Sequence, residues 1–272
     1  MGKIVSAYAT SHILFDPKPA QESANRVYAG MQRLGRMTIE AGPDLIFMIT
    51  SEHMNAINLQ VQPPFCVGIS DEWLPLDDML IPERVFRGHR EFALALVQHA
   101  ANSGFDIAMS EGIRPDHGTT LPLLFIKPWG AIPVVPFFVN VNMTPAPTTK
   151  RCFALADMLR DFIETRRPAE ERVAVIGSGG LSHWLCIPKM GTIAEEFDRE
   201  CMDTIAAGHV DELVSSLTSE DIREKAGNGG LELLNWIMMA AMVLHTTGEK
   251  IYYEPISAWQ TGLGGIAMNV RH

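Results

Sequence analysis

Short apolar runs bounded by turn residues alternate along this chain with longer stretches whose apolar residues recur every three to four positions. That alternation limits the fold more than any other feature. The runs Ile4–Ala9, Asp44–Thr50, Ile132–Val139 and Arg172–Gly177 have the length of strands, and a further pair is expected around Ile251–Ile256 and Gly265–Val270. Between them, Gln21–Ala41 lines up Val27, Met31, Leu34 and Thr38 on one helical face and stops at Gly42-Pro43, a pair that cannot continue a helix. Similar amphipathic patterns occupy Arg84–Ala101, Lys150–Thr165 and Thr192–Ala207, while Leu231–Thr246 is apolar nearly all round and reads as a buried helix. Strands alternating with helices predict an α/β sandwich around a mixed central sheet. No repeat, low-complexity tract or Gly/Ser linker divides the sequence, so residues 1–272 are expected to form one catalytic-size domain.

Composition removes several classes of function. With 47% hydrophobic and 20% charged residues the chain has material for a sizeable core. Its net charge of −10 would repel a phosphate backbone or an anionic membrane, so neither nucleic acid nor membrane is expected as a partner. The longest uncharged stretch, Pro128–Thr149, is broken by Pro128, Pro133, Pro136, Pro145 and Pro147 and reads as a strand and a loop rather than a membrane span. The first ten residues lack the unbroken apolar core of a secretion signal, and the four cysteines form no CxxC pair. Reduced thiols in a cytoplasm are the expectation.

In sheets of this kind ligands sit beyond the carboxyl ends of strands. Of nine histidines, three follow an expected strand directly: His12 after Thr10-Ser11, His53 after Thr50-Ser51-Glu52, and His183 at the end of Gly177-Ser-Gly-Gly-Leu-Ser-His183. One such histidine alone is ordinarily a loop residue held by a backbone hydrogen bond; three at equivalent positions point to a shared site. Glu232 begins the apolar helix, where the helix dipole favours a carboxylate but burial demands a compensating cation. Two imidazoles and a carboxylate leave coordination positions open, which suits non-heme Fe(II), with Zn(II) and Mn(II) as competitors. A Zn(II)-dependent hydrolase and a non-catalytic binding protein on the same scaffold remain alternatives. Gly177-Ser-Gly-Gly180 is not a dinucleotide fingerprint, because Ser182 stands where the third glycine belongs, and it lacks the spacing of a nucleophile elbow. His117 falls in a turn-rich loop where Asp116 or Thr119 could orient its ring. His89, His99, His209 and His245 read as surface or packing residues, and His272 as the terminus.

Taken in order, Thr10-Ser-His12, Ser51-Glu-His53-Met-Asn55, Asp116-His117-Gly118, Gly179-Gly-Leu-Ser-His183-Trp and Asn228-Gly-Gly-Leu-Glu232-Leu-Leu-Asn-Trp236 resemble the class III extradiol ring-cleavage dioxygenases over nearly the whole chain. They look most like the catalytic (beta) subunit of the protocatechuate 4,5-dioxygenase and gallate dioxygenase branch. The resemblance implies His12, His53 and Glu232 as Fe(II) ligands, His183 as catalytic base and His117 as a second active-site histidine. It implies a small aromatic diol and O2 as substrates, with an aminophenol or dihydroxypyridine as variants, and both oxygen atoms entering the opened ring. The segment after the second-last strand would bind the ring substituent through Trp259, Gln260 and Thr261. Some relatives close the site with a small helical subunit; this chain shows no such extension, so a separate subunit or a homo-oligomer is expected to do so.

Overall fold

The computed structural model describes residues 1–270 apart from 58, 59, 77, 80 and 129; His272 lies outside the described residues. In chain order the strands are β1 (Lys3–Thr10), β2 (Leu45–Ser51), β3 (Phe65–Gly68), β4 (Glu72–Trp73), β5 (Phe86–Arg87), β6 (Ala108–Ser110), β7 (Val134–Val139), β8 (Arg172–Ser178), β9 (Gly248–Ile256) and β10 (Thr261–Met268). The helices are α1 (Gln21–Glu40), α2 (Arg90–Asn102), α3 (His117–Ile126), α4 (Thr149–Arg166), α5 (Glu195–Ala206), α6 (Val210–Ser216), α7 (Ser219–Ala226) and α8 (Leu233–Ala241). Eight strands form one sheet in the order β6-β3-β7-β2-β8-β1-β10-β9, and β4 and β5 pair separately. β7, β2, β8 and β1 are parallel, whereas β10 runs antiparallel to β1 and β3 antiparallel to β7. The mixed α/β sandwich expected from the sequence is therefore the fold.

The unbroken apolar runs of the central strands have a direct cause. Leu45, Phe47, Ile49, Val135, Phe137, Val173 and Val175 face one helical layer together with Phe92, Leu155, Phe162 and Trp236. Their neighbours Ile46, Met48, Val134, Ala174 and Ile176 face the other, with Val27, Met31 and Leu34 of α1 and Leu121 and Leu123 of α3. Since both faces are covered, every residue of β2 and β7 is buried, and a strand with no wet side has no need of alternation. α1 ends as anticipated, with Gly42 in the left-handed region at φ +58°.

Several elements differ from the sequence expectation. The helix expected from Arg84 begins at Arg90, because Phe86-Arg87 pair with Glu72-Trp73. His89 then caps it, Nδ1 accepting the Phe92 amide N–H at 3.2 Å. His117 does not lie in a loop: it is the first residue of α3, whose amino end is capped by Asp116 accepting from the Gly118 N–H. Among the described residues no helix is long and apolar enough to cross a membrane. All four cysteines are free.

Candidate metal centre and active site

The parallel strands end at one edge of the sheet, so the residues just past Thr10, Ser51 and Ser178 meet there. Two residues beyond β1, His12 is fully buried. Its Nε2 lies 3.4 Å from Glu232 Oε1 and its Nδ1 lies 3.1 Å from Ser178 Oγ. His53, two residues beyond β2, is half-buried, with Nε2 at 2.7 Å from the same Glu232 Oε1 and Nδ1 at 2.9 Å from Asp116 Oδ2. One carboxylate oxygen thus faces both imidazoles. The other, Oε2, accepts the Gly180 N–H at 2.5 Å.

Glu232 reaches this position because it closes a buried 3-10 turn, Gly229–Glu232, that leads directly into α8. All nine residues of α8 are buried, so its amino end is carried into the interior as the sequence implied. The helix is pinned beneath the strand ends by Asn235, whose Nδ2–H donates to Ser51 Oγ and to the Ser178 carbonyl, and by the Trp236 indole N–H on the Gly179 carbonyl. The glycines of the 177–180 run find their reason here. A Cβ on Gly179 would stand 2.8 Å from Glu232 Cβ, so only glycine allows the β8 loop to approach the carboxylate.

His117 stacks on His53 with ring centroids 4.6 Å apart, and His12 stands edge-on to both at 5.0 and 5.3 Å. One ring nitrogen from each of the three lies within 4.8 Å of the others, an arrangement that could hold a metal ion. Neither residue expected to orient His117 does so. Asp116 turns to His53, and Asp78, from a loop 39 residues upstream, takes the His117 Nδ1–H at 2.6 Å and its backbone N–H at 3.1 Å. Glu52 was also missed; it folds back to accept the N–H groups of Met54, Asn55 and Ala56 at 2.6 to 3.0 Å and so braces the turn that carries His53.

Charge at the site follows from burial set against these contacts. Burial pushes the His12 imidazole down to about 3, so it is neutral at ordinary pH. For His53 burial works in the same direction, but the hydrogen bonds and charges of Asp116 and Glu232 outweigh it and hold the ring well above its ordinary value. Burial opposes the charge on Glu232, yet the surrounding imidazoles of His12, His53 and His183 keep its carboxyl below the ordinary range. Asp116 is likewise held low by His53 against the effect of burial.

His183 is buried, and its Nδ1–H donates to the Leu181 carbonyl at 2.9 Å, which leaves Nε2 as the nitrogen able to accept a proton. Its ring fills the place where a Cβ on Gly229 would lie, 2.0 Å from Nε2, and packs against Gly180 beside the Glu232 carboxylate. The preceding residue is clamped: Asp198 accepts the Ser182 N–H at 2.9 Å, the Ser182 hydroxyl at 2.7 Å and the Tyr253 hydroxyl at 2.9 Å. Burial, helped by nearby Glu195, nonetheless pushes the Asp198 carboxyl from 3.8 up to about 6. The native state then holds this proton more tightly than the unfolded chain, so the contribution is full below about pH 4 and is lost as pH rises through about 6. Relative to an Asp198→Asn variant, the wild type should lose about 3 kcal/mol of unfolding free energy between pH 4 and 7 in denaturant titrations. A difference that stays flat across that range would mean that Asp198 is ionised throughout.

Of the residues expected to touch a ring substituent, Trp259 and Gln260 form the turn between β9 and β10, and Thr261 opens β10. Trp259 is buried with its N–H on the Asp16 carbonyl at 3.1 Å, and Thr261 is buried with its hydroxyl on the Gly262 carbonyl; Gln260 is exposed.

Residues 6–264 match the family described as the catalytic LigB subunit of aromatic ring-opening dioxygenase, and the chain belongs to that family of metal-dependent ring-cleavage enzymes. A 2,3-dihydroxyphenylpropionate/2,3-dihydroxicinnamic acid 1,2-dioxygenase from Photorhabdus laumondii subsp. laumondii is 27% identical, covering 97% of this chain and 96% of that one. A protein of the same name from Rhodococcus sp is 25% identical, covering 90% and 91%. The crystal structure of an uncharacterized protein from Escherichia coli K12 superposes with a TM-score of 0.63 at 16% identity, covering 97% of this chain and all of that one, which marks a shared fold. The class read from the five motifs is thereby established. These relatives' names carry dihydroxyphenylpropionate rather than protocatechuate or gallate, so the narrower branch does not follow.

Proposed function

We propose that this chain is a non-heme Fe(II) extradiol dioxygenase that holds its metal between His12, His53 and Glu232 and opens the ring of a catechol-type substrate, with both atoms of O2 entering the product. The observation that carries this reading is the buried His12 Nε2, which has no hydrogen-bond partner among the described residues and faces a carboxylate oxygen 3.4 Å away. Such an atom is costly to bury unless something binds it. Two imidazoles and a carboxylate with open positions suit Fe(II), and Glu232 Oε1 faces His12 Nε2 at 3.4 Å and His53 Nε2 at 2.7 Å while bringing the negative charge that a cation favours, which supports it over His117 as third ligand. Fe(II) bound there would activate O2 and acidify the chelated hydroxyls of the diol.

The protein's own groups supply the proton handling. His183, fixed by Leu181 so that Nε2 is the basic nitrogen, takes a hydroxyl proton from the ring. His117, fixed by Asp78 through Nδ1 and standing within the His12–His53 cluster, keeps Nε2 for proton exchange and serves as the second proton-handling residue. Of the turn residues, Gln260 has its side chain open to a ring substituent, while Trp259 and Thr261 shape the turn. Exposed Phe15, Met54, Leu185, Ile187 and Met190 all follow β1, β2 or β8, and we read them as the surface on which a second copy or a small helical subunit closes the site. The four free thiols support a reducing, cytoplasmic compartment.

The test is oxygen uptake by anaerobically Fe(II)-loaded protein against 2,3-dihydroxyphenylpropionate, protocatechuate, gallate, catechol, an aminophenol and a dihydroxypyridine, with Zn(II)-loaded protein as control. Uptake with a yellow ring-opened product, dependent on Fe(II), is expected with at least one ring. Hydrolytic turnover supported by Zn(II) and indifferent to oxygen would refute the reading.

A further inference from the structure

We infer that Ser178 is a positioning residue for His12: it decides which imidazole nitrogen carries the proton and so keeps Nε2 free to bind a metal. The inference rests on the reading of His12 as a ligand given above.

Ser178 ends β8 and is completely buried. Its hydroxyl has one hydrogen, and two neighbours compete for it. The Gly118 carbonyl, 2.5 Å away, can only accept, so the hydroxyl donates there. Toward His12 Nδ1, at 3.1 Å, the same oxygen is left with lone pairs alone and must accept. Nδ1 therefore carries the hydrogen of the neutral ring, and Nε2 is bare. That agrees with Nε2 being a buried nitrogen without a hydrogen-bond partner among the described residues.

The arrangement holds His12 in the less comfortable of its two neutral forms. With the proton on Nε2 instead, the ring would present its N–H toward the anionic Glu232 Oε1, 3.4 Å away, and gain electrostatically. It would then be a donor where a ligand is needed. Such a flip would set a bare Nδ1 against the Ser178 oxygen, and pairing could be restored only by pulling the hydroxyl hydrogen away from Gly118. Ser178 thus penalises the form that blocks metal binding.

The acceptor is itself well anchored. Gly118 lies in the first turn of α3, and its N–H donates to Asp116 Oδ1 at 2.9 Å while Asp116 Oδ2 takes the His53 Nδ1–H. One backbone residue therefore terminates the outer hydrogen bonds of both imidazoles. Bulk cannot be added there, because a Cβ on Gly118 would lie 2.7 Å from His53 Cε1.

The test compares wild type with Ser178→Ala in two readouts. NMR of metal-free protein labelled with ¹⁵N-histidine reports which His12 nitrogen is protonated, and equilibrium titration with Zn(II), and with Fe(II) under anaerobic conditions, reports affinity. The wild type should carry its proton on Nδ1. Ser178→Ala should shift it to Nε2 and raise the dissociation constant of both metals about 10- to 100-fold, the range for losing a partner behind a ligand. A wild-type His12 protonated on Nε2 overturns the inference whether or not the variant folds, as does a folded Ser178→Ala protein with wild-type affinity. A His12→Ala variant that binds metal as the wild type does would overturn the ligand reading and the inference with it.

Discussion

Glu232→Ala protein is expected to emerge from anaerobic Fe(II) loading and desalting with essentially no iron, while wild type retains about one ion per chain. The carboxylate is the only anionic member of the proposed ligand set, and its Oε1 is the atom toward which both His12 and His53 point. Two imidazoles alone would offer an incomplete and uncharged site, so the loss should exceed the about 10- to 100-fold typical of removing an outer partner of a ligand. The fold should survive. The substitution strands the Gly180 N–H and deprives His53 of one of two carboxylate partners, at a cost of about 1–3 kcal/mol for each buried unpaired group. Unchanged circular dichroism with lost iron would confirm the role. Because His117 also stands in the histidine triangle, His117→Ala is the informative partner: it should keep its iron. One retained iron and normal turnover in Glu232→Ala, with iron lost in His117→Ala, would move the carboxylate out of the site and the third histidine into it.

What could be read from residues alone divides along a physical line. β2, β7 and β8 announce themselves because both faces are covered by helices, leaving runs with no polar break. The short strands β3 and β6 at one end of the sheet do not, since the four residues Phe65–Gly68 and the three residues Ala108–Ser110 are too few to carry a pattern and acquire their conformation by pairing. α3 was obscured by Gly118 and Pro122, which read as breakers; in the structure Asp116 caps the helix and the glycine is there to clear His53.

The site shows the same division. His12, His53, His183 and Glu232 could be collected because strand ends and a buried helix start are local features. Their outer partners could not, since the contacts that hold them are set by the packing of distant segments: Asp78 is 39 residues from His117, and Ser178 is 166 from His12. The branch of the family was beyond reach for a related reason. In the proposed reading the five motifs surround the reacting diol, whereas the part of a ring that differs between substrates would meet loop side chains such as Gln260, which follow no pattern.

His183→Ala is expected to bind Fe(II) as tightly as wild type and still lose kcat by about 10²- to 10⁴-fold, the range for a missing general base. The geometry separates these two effects. The contacts of His183 run to the Leu181 carbonyl and to the glycines at 180, 227 and 229, and none of them orients His12 or His53. Removing the ring opens a space beside Glu232 but leaves the Gly180 N–H on Oε2, so the carboxylate keeps its place. A loss confined to metal binding would make His183 a support for Glu232 and no more. The discriminating measurement is the split between kcat and KM at saturating iron. A fall in kcat with KM near the wild-type value would mark the loss of an interaction made in the transition state. His183→Gln, which fills the space without offering a base, should resemble alanine in rate; recovery of wild-type kcat by glutamine would show that shape, not proton transfer, is what His183 contributes.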